Sequence, residues 1–389
     1  MITLLLALAL LWPFGVMGHA VWLAYRAPEA QRDYFSVLWL SAAWPALLLA
    51  YVGEAQWTMD AWMLGGEWEL NSLSRPWLAF TALLWSLAAV HARGYFAAEQ
   101  AQAQRGDQDA QRRLLRLALL WPLTLLGNVL LIIAQDIASF YLGFAVMTFA
   151  AYALVVHTGT QEARLGAKAY LILAVLGEGL ILGGFLWSAG AADTLMLQGV
   201  RESIVSAEHG AWMAALLCLG FGVKAGVIGL HVWLPLAHPA APAPASAVLS
   251  GVMIKAGLLG WISVLPLGHA QVSGALAQFG HWMLVAGLCG CCVWGVSAPS
   301  KSRVGLFQYQ PDGHDDRIGG HGIGGARCMA AAMARVSPVC CSSCACQRLA
   351  VYGDQHQRTS PALAAAAGMG LAGIAGYLAG GRYRRGHGQ

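Results

Sequence analysis

The stretch Gly220-Phe-Gly-Val-Lys-Ala-Gly-Val-Ile-Gly-Leu-His-Val-Trp-Leu-Pro-Leu-Ala-His238 puts a lysine, Lys224, inside an apolar helix that breaks at Pro235. A charge at the centre of a bilayer costs about 3 kcal/mol or more, so such residues usually face a protein interior or a water-filled path. A second lysine, Lys255, lies in the next apolar segment, 247–268. Two buried lysines on either side of a break that contains proline and histidine indicate a route for protons or other ions.

The composition of the chain is that of an integral membrane protein. Its 389 residues are 58% hydrophobic and only 11% charged, whereas a soluble domain carries about 25% charged residues. Segments of about 20 mostly apolar residues, long enough to span a bilayer, occur about nine times. They are 2–25, 35–54, 77–97, 115–134, 137–157, 166–189, 211–233, 245–267 and 277–297. The sequence therefore predicts an all-α fold, a polytopic transmembrane helix bundle.

Basic residues in the loops predict the orientation of this bundle. One side of the predicted membrane carries most of them, namely Arg26, Arg32, Arg93, Arg105, Arg112, Arg113, Arg116, Arg164, Lys168, Lys301 and Arg303. The other side carries Arg75 and Arg201. The positive-inside rule then puts the basic side in the cytoplasm and the N-terminus outside. Since segment 2–25 lacks a basic start, we interpret it as an uncleaved span, and we expect a multi-pass protein of the cell inner membrane.

The character of the chain changes near residue 300. Residues 1–300 form a run of apolar segments, whereas residues 301–389 contain the polar stretch 308–317, the cysteine cluster 340–346 and a glycine- and arginine-rich end. Three of these cysteines have a spacing that can hold zinc or an iron–sulfur cluster. A metal-binding tail is therefore one interpretation of residues 301–389.

The genetic code favours a different interpretation of this tail. Read one base later, the codons for 304–316 are compatible with Leu-Ala-Tyr-Ser-Ser-Ile-Ser-Gln-Met-Gly-Met-Met. The same shift converts 339–353 and 374–389 into further apolar strings. Each shifted codon allows several residues, but three long matches in order indicate a frameshift between about Trp294 and Val304. We therefore expect an aberrant tail that binds no metal, and a transmembrane domain truncated at its C-terminal end.

The segment from Lys224 to Lys255 resembles the signature of the antiporter-like subunits of respiratory complex I. Such subunits also occur in energy-converting hydrogenases, formate hydrogenlyase and multisubunit cation/proton antiporters. The motif Leu234-Pro-Leu-Ala-His-Pro-Ala-Ala-Pro242 looks most similar to the hydrogenase branch of the family. The resemblance is specific over 220–265 and looser over 115–300, and the shifted phrase after residue 303 also resembles the family.

This resemblance implies a broken seventh helix and a set of proton-path residues. In the family, the seventh helix carries a buried lysine, the eighth helix carries a second one, and histidines link the half-channels. The corresponding residues of the proton path here are Lys224, Lys255, His231 and His238. The resemblance assigns the helix break to Gly226, Gly229 and Pro235, and a broken span is tolerated where it lines a cavity.

Two departures from the family pattern affect this interpretation. The family usually has a glutamate on the fifth span where Phe140-Tyr-Leu-Gly-Phe144 is followed here by Ala145. Glu178 lies in the middle of the sixth predicted span, so we expect it to face inward and to substitute for that carboxylate. The second departure is Gly229, where the family often has proline.

The chemistry suits proton movement because burial favours the neutral amine of a lysine, whereas a nearby carboxylate favours the ammonium. Moving that carboxylate, or changing its charge, would switch the lysine between holding and releasing a proton. Histidine titrates near neutral pH and suits a relay. Asp136 has instead the position of a helix-start residue, and Asn128 and His157 are interpreted as structural.

The sequence favours a proton-translocating subunit of a complex I-like or hydrogenase-like assembly. We find no flavin, nucleotide or cluster motif, so we expect no cofactor and no metal of its own. The expected partners are other membrane subunits, a peripheral redox arm and the lipid bilayer, but not nucleic acid. Two alternatives remain, a secondary cation/proton antiporter subunit and a structural subunit that has lost transport.

Overall fold

Helices account for nearly all of the regular structure. A computed structural model describes residues 2–59, 62, 65–227 and 229–266. Its helices are α1 (Ile2–Arg26), α2 (Val37–Leu40), α3 (Trp44–Val52), α4 (Ser74–Tyr95), α5 (Ala97–Gln104), α6 (Gln108–Ile133), α7 (Ile137–Val155), α8 (Gln161–Ala192), α9 (Leu197–Ser206), α10 (Gly210–Ala225), α11 (Trp233–Ala240), α12 (Ala243–Val248) and α13 (Ile254–Val264). A short π-helix, Leu249–Met253, connects α12 with α13. The predicted all-α membrane fold is confirmed.

Several of these helices are long and apolar enough to cross a membrane. In the described residues they are α1, α6, α7, α8 and the stretch Ala243–Val264, with shorter apolar helices at Val37–Val52 and Gly210–Ala225. The segment predicted at 77–97 forms α4, which is not among these candidate spans. The predicted span 277–297 and the tail 301–389 with its cysteines lie outside the described residues, so their interpretation stays a prediction.

A β-hairpin that the sequence did not predict follows α3. Strand β1 (Ala55–Met59) pairs antiparallel with β2 (Gly66–Leu70). Trp68 is buried, and the Nε1 atoms of Trp62 and Trp68 both donate to Ser139 Oγ, at 3.1 and 2.9 Å. Trp68 therefore packs the hairpin onto the start of α7.

Asp136 joins this hairpin to the turn between α6 and α7. Its Oδ1 accepts from Ser139 N at 2.7 Å, and its Oδ2 accepts from Glu67 N at 3.1 Å. The first contact caps α7, as predicted for a helix-start residue. Backbone hydrogen bonds from Gln135 to Glu67 and from Leu197 to Gln135 bring the connection between α8 and α9 to the same junction. All of these segments belong to the side that the loop charges assign to the exterior.

Glu99 organises the opposite, basic end of the bundle. Its Oε1 accepts from Arg113 Nε at 2.5 Å, and its Oε2 lies 3.4 Å from His157 Nε2. Burial alone would raise the pKa of Glu99, but hydrogen bonds and charges from His157 and Arg113 outweigh it and lower that pKa below its usual range. Asp107 caps the start of α6 and thereby separates it from α5. The contacts of Glu99 therefore connect α5 with α6 and with the end of α7.

Acidification should weaken this Glu99 cluster. Because the pKa of Glu99 is lower in the folded state, its stabilising contribution is present above the ordinary carboxyl value of 4.5 and is lost as the pH falls through the folded value. We expect Glu99→Gln to lower the free energy of unfolding by about 1–2 kcal/mol at neutral pH and by less in acid. Chemical unfolding in detergent across pH measures this, with the exposed Glu202→Gln as control. A Glu99 effect that did not vary with pH would contradict the electrostatic origin.

Helices α6 and α7 pack with their backbones in close contact. A Cβ built on Gly143 would lie 2.6 Å from Leu131 N and 2.9 Å from Gly127 O. A real Cβ cannot occupy that position, so the two helices can approach this closely only because glycine is present. The contact fixes α7, which carries one wall of the site described below.

Replacing Gly143 by alanine should separate α6 from α7. We expect Gly143→Ala to lower the free energy of unfolding by about 1–3 kcal/mol, because the added methyl overpacks a close backbone contact. Gly183→Ala on α8 is the matched control, since nothing lies within 4 Å of a Cβ built there. Unfolding in detergent measures both variants, and equal stability of the two would contradict the packing argument.

Candidate functional site

The helix that carries Lys224 ends one residue later. Helix α10 stops at Ala225, and Gly226 caps it in the left-handed conformation with φ 71°. Gly229, with φ 90°, lies in the connection that leads to α11 at Trp233. Pro235 lies in the first turn of α11, after the break rather than within it. Proline is accepted there because backbone N–H groups of a first turn have no helical partner.

Trp233 closes the break from the other side. It is buried, and its Nε1 donates to the carbonyl oxygen of Val223 at 2.9 Å. The same carbonyl also accepts from Gly226 N at 3.3 Å, so Trp233 adds a second donor at the end of α10. The Trp233 ring also packs edge-on against Tyr170 of α8, with centroids 5.2 Å apart. Contacts between α8, α10 and α11 thus stabilise the helix break.

Lys224 is buried, with 4% of its surface exposed. Its Nζ donates to Thr148 Oγ1 of α7 at 2.7 Å and to Tyr170 Oη of α8 at 2.9 Å. The same nitrogen lies 5.5 Å from the ring centroid of Phe144 and 5.1 Å from that of Tyr170. Lone pairs and aromatic faces therefore surround the amine, and both stabilise a positive charge.

The two hydroxyls can only accept from Lys224 in this arrangement. Thr148 Oγ1 donates its own proton to the carbonyl oxygen of Phe144 at 2.8 Å. Tyr170 Oη donates its proton to the carbonyl oxygen of Thr148 at 3.1 Å. Since each hydroxyl has a single proton, Lys224 must be the donor in both contacts.

Glu178 faces the interior from α8, as expected from the alanine at position 145. It is 4% exposed, and its charge interacts with that of Lys224. The two groups form no direct ion pair, since none of the ion pairs within 4.0 Å in the described residues joins them. Thr148 also interacts with the carboxyl, while Glu178 Oε1 is buried without a hydrogen-bond partner in the described part of the chain.

Lys255 lies apart from this cluster. It follows the π-helix Leu249–Met253, is half-buried, and its Nζ lies 4.4 Å from the ring centroid of Phe80 on α4. Helix α13 does pack on α10. The two lysines therefore occupy neighbouring helices but different surroundings.

The two histidines of the motif differ in their contacts. His231 is partly exposed in the break, and its Nδ1 accepts from Gly229 N at 3.2 Å. His238 lies on α11, and its Nδ1 is 2.5 Å from Ser246 Oγ of α12. A histidine–serine pair of this kind holds the ring orientation and connects α11 with the start of the next apolar stretch.

Sequence reasoning missed Thr148 and Tyr170, although helical spacing offered a signal. Thr148 follows Ala145 by three residues and therefore shares its helix face. Tyr170 precedes Glu178 by eight residues and shares the face of Glu178. Buried hydroxyls in membrane helices commonly bond to their own backbone. The sequence therefore could not single out these two among the many Ser, Thr and Tyr residues.

Comparisons with known proteins agree with this geometry. Residues 134–292 match the family model described as "NADH:quinone oxidoreductase/Mrp antiporter, TM". Hydrogenase-4 component B of Escherichia coli is 34% identical over 126 residues, which is 32% of this chain and 19% of that protein. NADH-quinone oxidoreductase subunit N of Halorhodospira halophila is 28% identical over 203 residues, or 51% of this chain and 39% of the relative. The chain thus spans less than half the length of these curated relatives.

Two solved structures share the fold. The membrane-bound sulfane sulfur reductase, an archaeal respiratory membrane complex, superposes with a TM-score of 0.59 at 20% identity, covering 74% of this chain and 46% of the matched chain. The Mrp complex from a Dietzia species gives a TM-score of 0.54 at 18% identity, covering 67% and 48%. At these identities the likeness concerns the fold alone.

Fold and site together define a multi-pass, antiporter-like membrane protein with a buried lysine at a helix break. Residues 134–292 are similar to the NADH:quinone oxidoreductase/Mrp antiporter membrane family. The resemblance to antiporter-like membrane subunits that the segment between Lys224 and Lys255 indicated is confirmed.

The left-handed cap at Gly226 should be needed for the break. We expect Gly226→Ala to lower the free energy of unfolding by about 1 kcal/mol, because a Cβ is strained at this φ value. Gly226→Asn should lower the free energy of unfolding by less, since asparagine tolerates this conformation. Unfolding in detergent compares both with Gly190→Ala, a helical glycine of α8 with open space around it. Equal stability of Gly226→Ala and Gly190→Ala would contradict the strain argument.

Proposed function

We propose that this chain is a proton-translocating, antiporter-like membrane subunit of a complex I-like or hydrogenase-like respiratory assembly. The observation that carries the proposal is the buried Lys224 beside a helix break, hydrogen-bonded to two hydroxyls and electrostatically linked to Glu178. A buried lysine is expensive to retain in a membrane protein without a role. The similarity to antiporter-like membrane subunits supports the same conclusion.

The proposed path uses the residues that the sequence predicted. Lys224 holds and releases the proton, Glu178 sets its affinity, and Lys255 continues the path along the next helix. His231 and His238 serve as relay groups because imidazole titrates near neutral pH. Gly226 and Gly229 form the break, and Pro235 lies in the first turn of the helix that follows it. Backbone and side chains can then line a polar cavity.

Electrons must then come from partners. Similarity to subunits of respiratory and Mrp complexes supports assembly with other membrane subunits, and we propose a peripheral redox arm as the electron source. In that arrangement, a redox event in the arm changes the position or charge of a carboxylate near Lys224. The proposed location is the cell inner membrane, with the basic loops in the cytoplasm.

Lys224→Ala tests the proposal directly. We expect the variant to assemble but to lose proton translocation, measured by a pH-sensitive dye in vesicles that contain the complete complex and its electron donor. Lys168→Ala is the matched control, because Lys168 is an exposed lysine on α8 outside the cluster. Normal translocation by Lys224→Ala would overturn the proton-path proposal.

Glu178→Gln separates transport from a purely structural role. A transporting subunit should lose most of its activity with this isosteric change, whereas a structural subunit would tolerate it. The second candidate, a secondary cation/proton antiporter subunit, is favoured by the Mrp part of the matched family description. Vesicles without electron donor distinguish it, because exchange of protons for an imposed sodium gradient would then persist.

A further inference from the structure

A single hydroxyl proton on Thr148 has two possible acceptors. The hydroxyl oxygen accepts from Lys224 Nζ at 2.7 Å while donating to the Phe144 carbonyl at 2.8 Å. The same hydroxyl lies close enough to the Glu178 carboxyl to interact with it. Because one proton cannot serve carbonyl and carboxylate at once, the described geometry is one of two arrangements of this group.

The Glu178 carboxyl lacks the partner that the second arrangement would supply. Its Oε1 is buried and has no hydrogen-bond partner among the described residues. A buried polar atom without a partner is destabilising. The titratable groups that interact with this carboxyl are Lys224 of α10, Tyr141 of α7 and Tyr170 of α8 itself. Thr148 is thus a neighbour that hydrogen-bonds to Lys224 and also interacts with Glu178.

We propose that Thr148 is a rotating relay through which Lys224 and Glu178 exchange a proton, an inference that rests on the proposed function. Rotation about the Cβ–Oγ1 bond turns the hydroxyl proton from the Phe144 carbonyl toward the Glu178 carboxylate, while Oγ1 stays in place and Lys224 continues to donate to it. A hydroxyl proton rotates readily about this bond, so the rotation requires no change in α7.

The transfer step then balances. One Nζ–H bond of the Lys224 ammonium breaks as a new Oγ1–H bond forms, and the original Oγ1–H bond breaks as an O–H bond forms on the Glu178 carboxylate. Lysine becomes a neutral amine, glutamate becomes a neutral acid, and threonine is unchanged. Two opposite charges disappear together, which suits a site shielded from water.

Tyr170 acts as a positioning residue in this scheme. Its hydroxyl proton is held by the Thr148 carbonyl, and its oxygen accepts from Lys224. It can therefore keep the amine beside Thr148 before and after transfer without carrying the proton itself. The aromatic contact with Trp233 fixes the ring.

Thr148→Val is the decisive variant because it keeps the shape and removes the hydroxyl. In vesicles of the complete complex, we expect proton translocation to fall about tenfold or more, and Thr148→Ser to restore it. Thr124→Val is the matched control, since Thr124 is a fully buried threonine of α6 whose Oγ1 donates to the Leu120 carbonyl at 2.6 Å. Thr148→Ala replaces the valine variant if that one does not assemble.

Infrared titration supplies a readout that a structural role would not move. The carboxyl band of protonated Glu178, assigned by its loss in Glu178→Gln, should change its titration midpoint in Thr148→Val and keep it in Thr124→Val. Normal translocation and an unchanged midpoint in Thr148→Val, with translocation lost in Lys224→Ala, would overturn the relay and leave the proposed function standing. Translocation retained in Lys224→Ala would overturn the proposed function itself.

Discussion

The burial of one ammonium group is the constraint on which the rest of this molecule depends. An isolated charge in a bilayer is costly, so Lys224 persists only where other groups replace its water. Here two hydroxyl oxygens, two aromatic faces and a nearby carboxyl do so. These groups come from α7 and α8, while Lys224 lies on α10. Any shift among these three helices changes the environment of the charge.

The surrounding architecture holds those three helices in register. The glycine contact between α6 and α7 fixes the wall that carries Thr148. At one end of the bundle, Asp136 ties α7 to a hairpin and to the connection after α8. At the other end, Glu99 of α5 contacts Arg113 of α6 and His157, which lies just after α7. The site thus lies between two polar junctions, each built from segments distant in sequence.

Part of the site was predictable from sequence, because a lysine in an apolar segment has a high energetic cost that the sequence alone reveals. A lysine in an apolar run, followed by closely spaced glycines, predicted both the site and the break, and the alanine at position 145 pointed to Glu178. Thr148 and Tyr170 could not be identified, because only packing distinguishes their hydroxyls from others in membrane helices. The contact of Lys255 with Phe80 could not be predicted either, since α4 and α13 are far apart along the chain.

The helix break has an electrical consequence of its own. Peptide dipoles in a helix sum to a partial negative charge at its C-terminus, and the effect is strongest in the last turn. By ending at Ala225, α10 sets Lys224 within that last turn. An unbroken helix would carry the negative pole away toward the next helix end. Any motion that joined α10 to α11 would therefore weaken the hold on the ammonium, even with every side chain left in position.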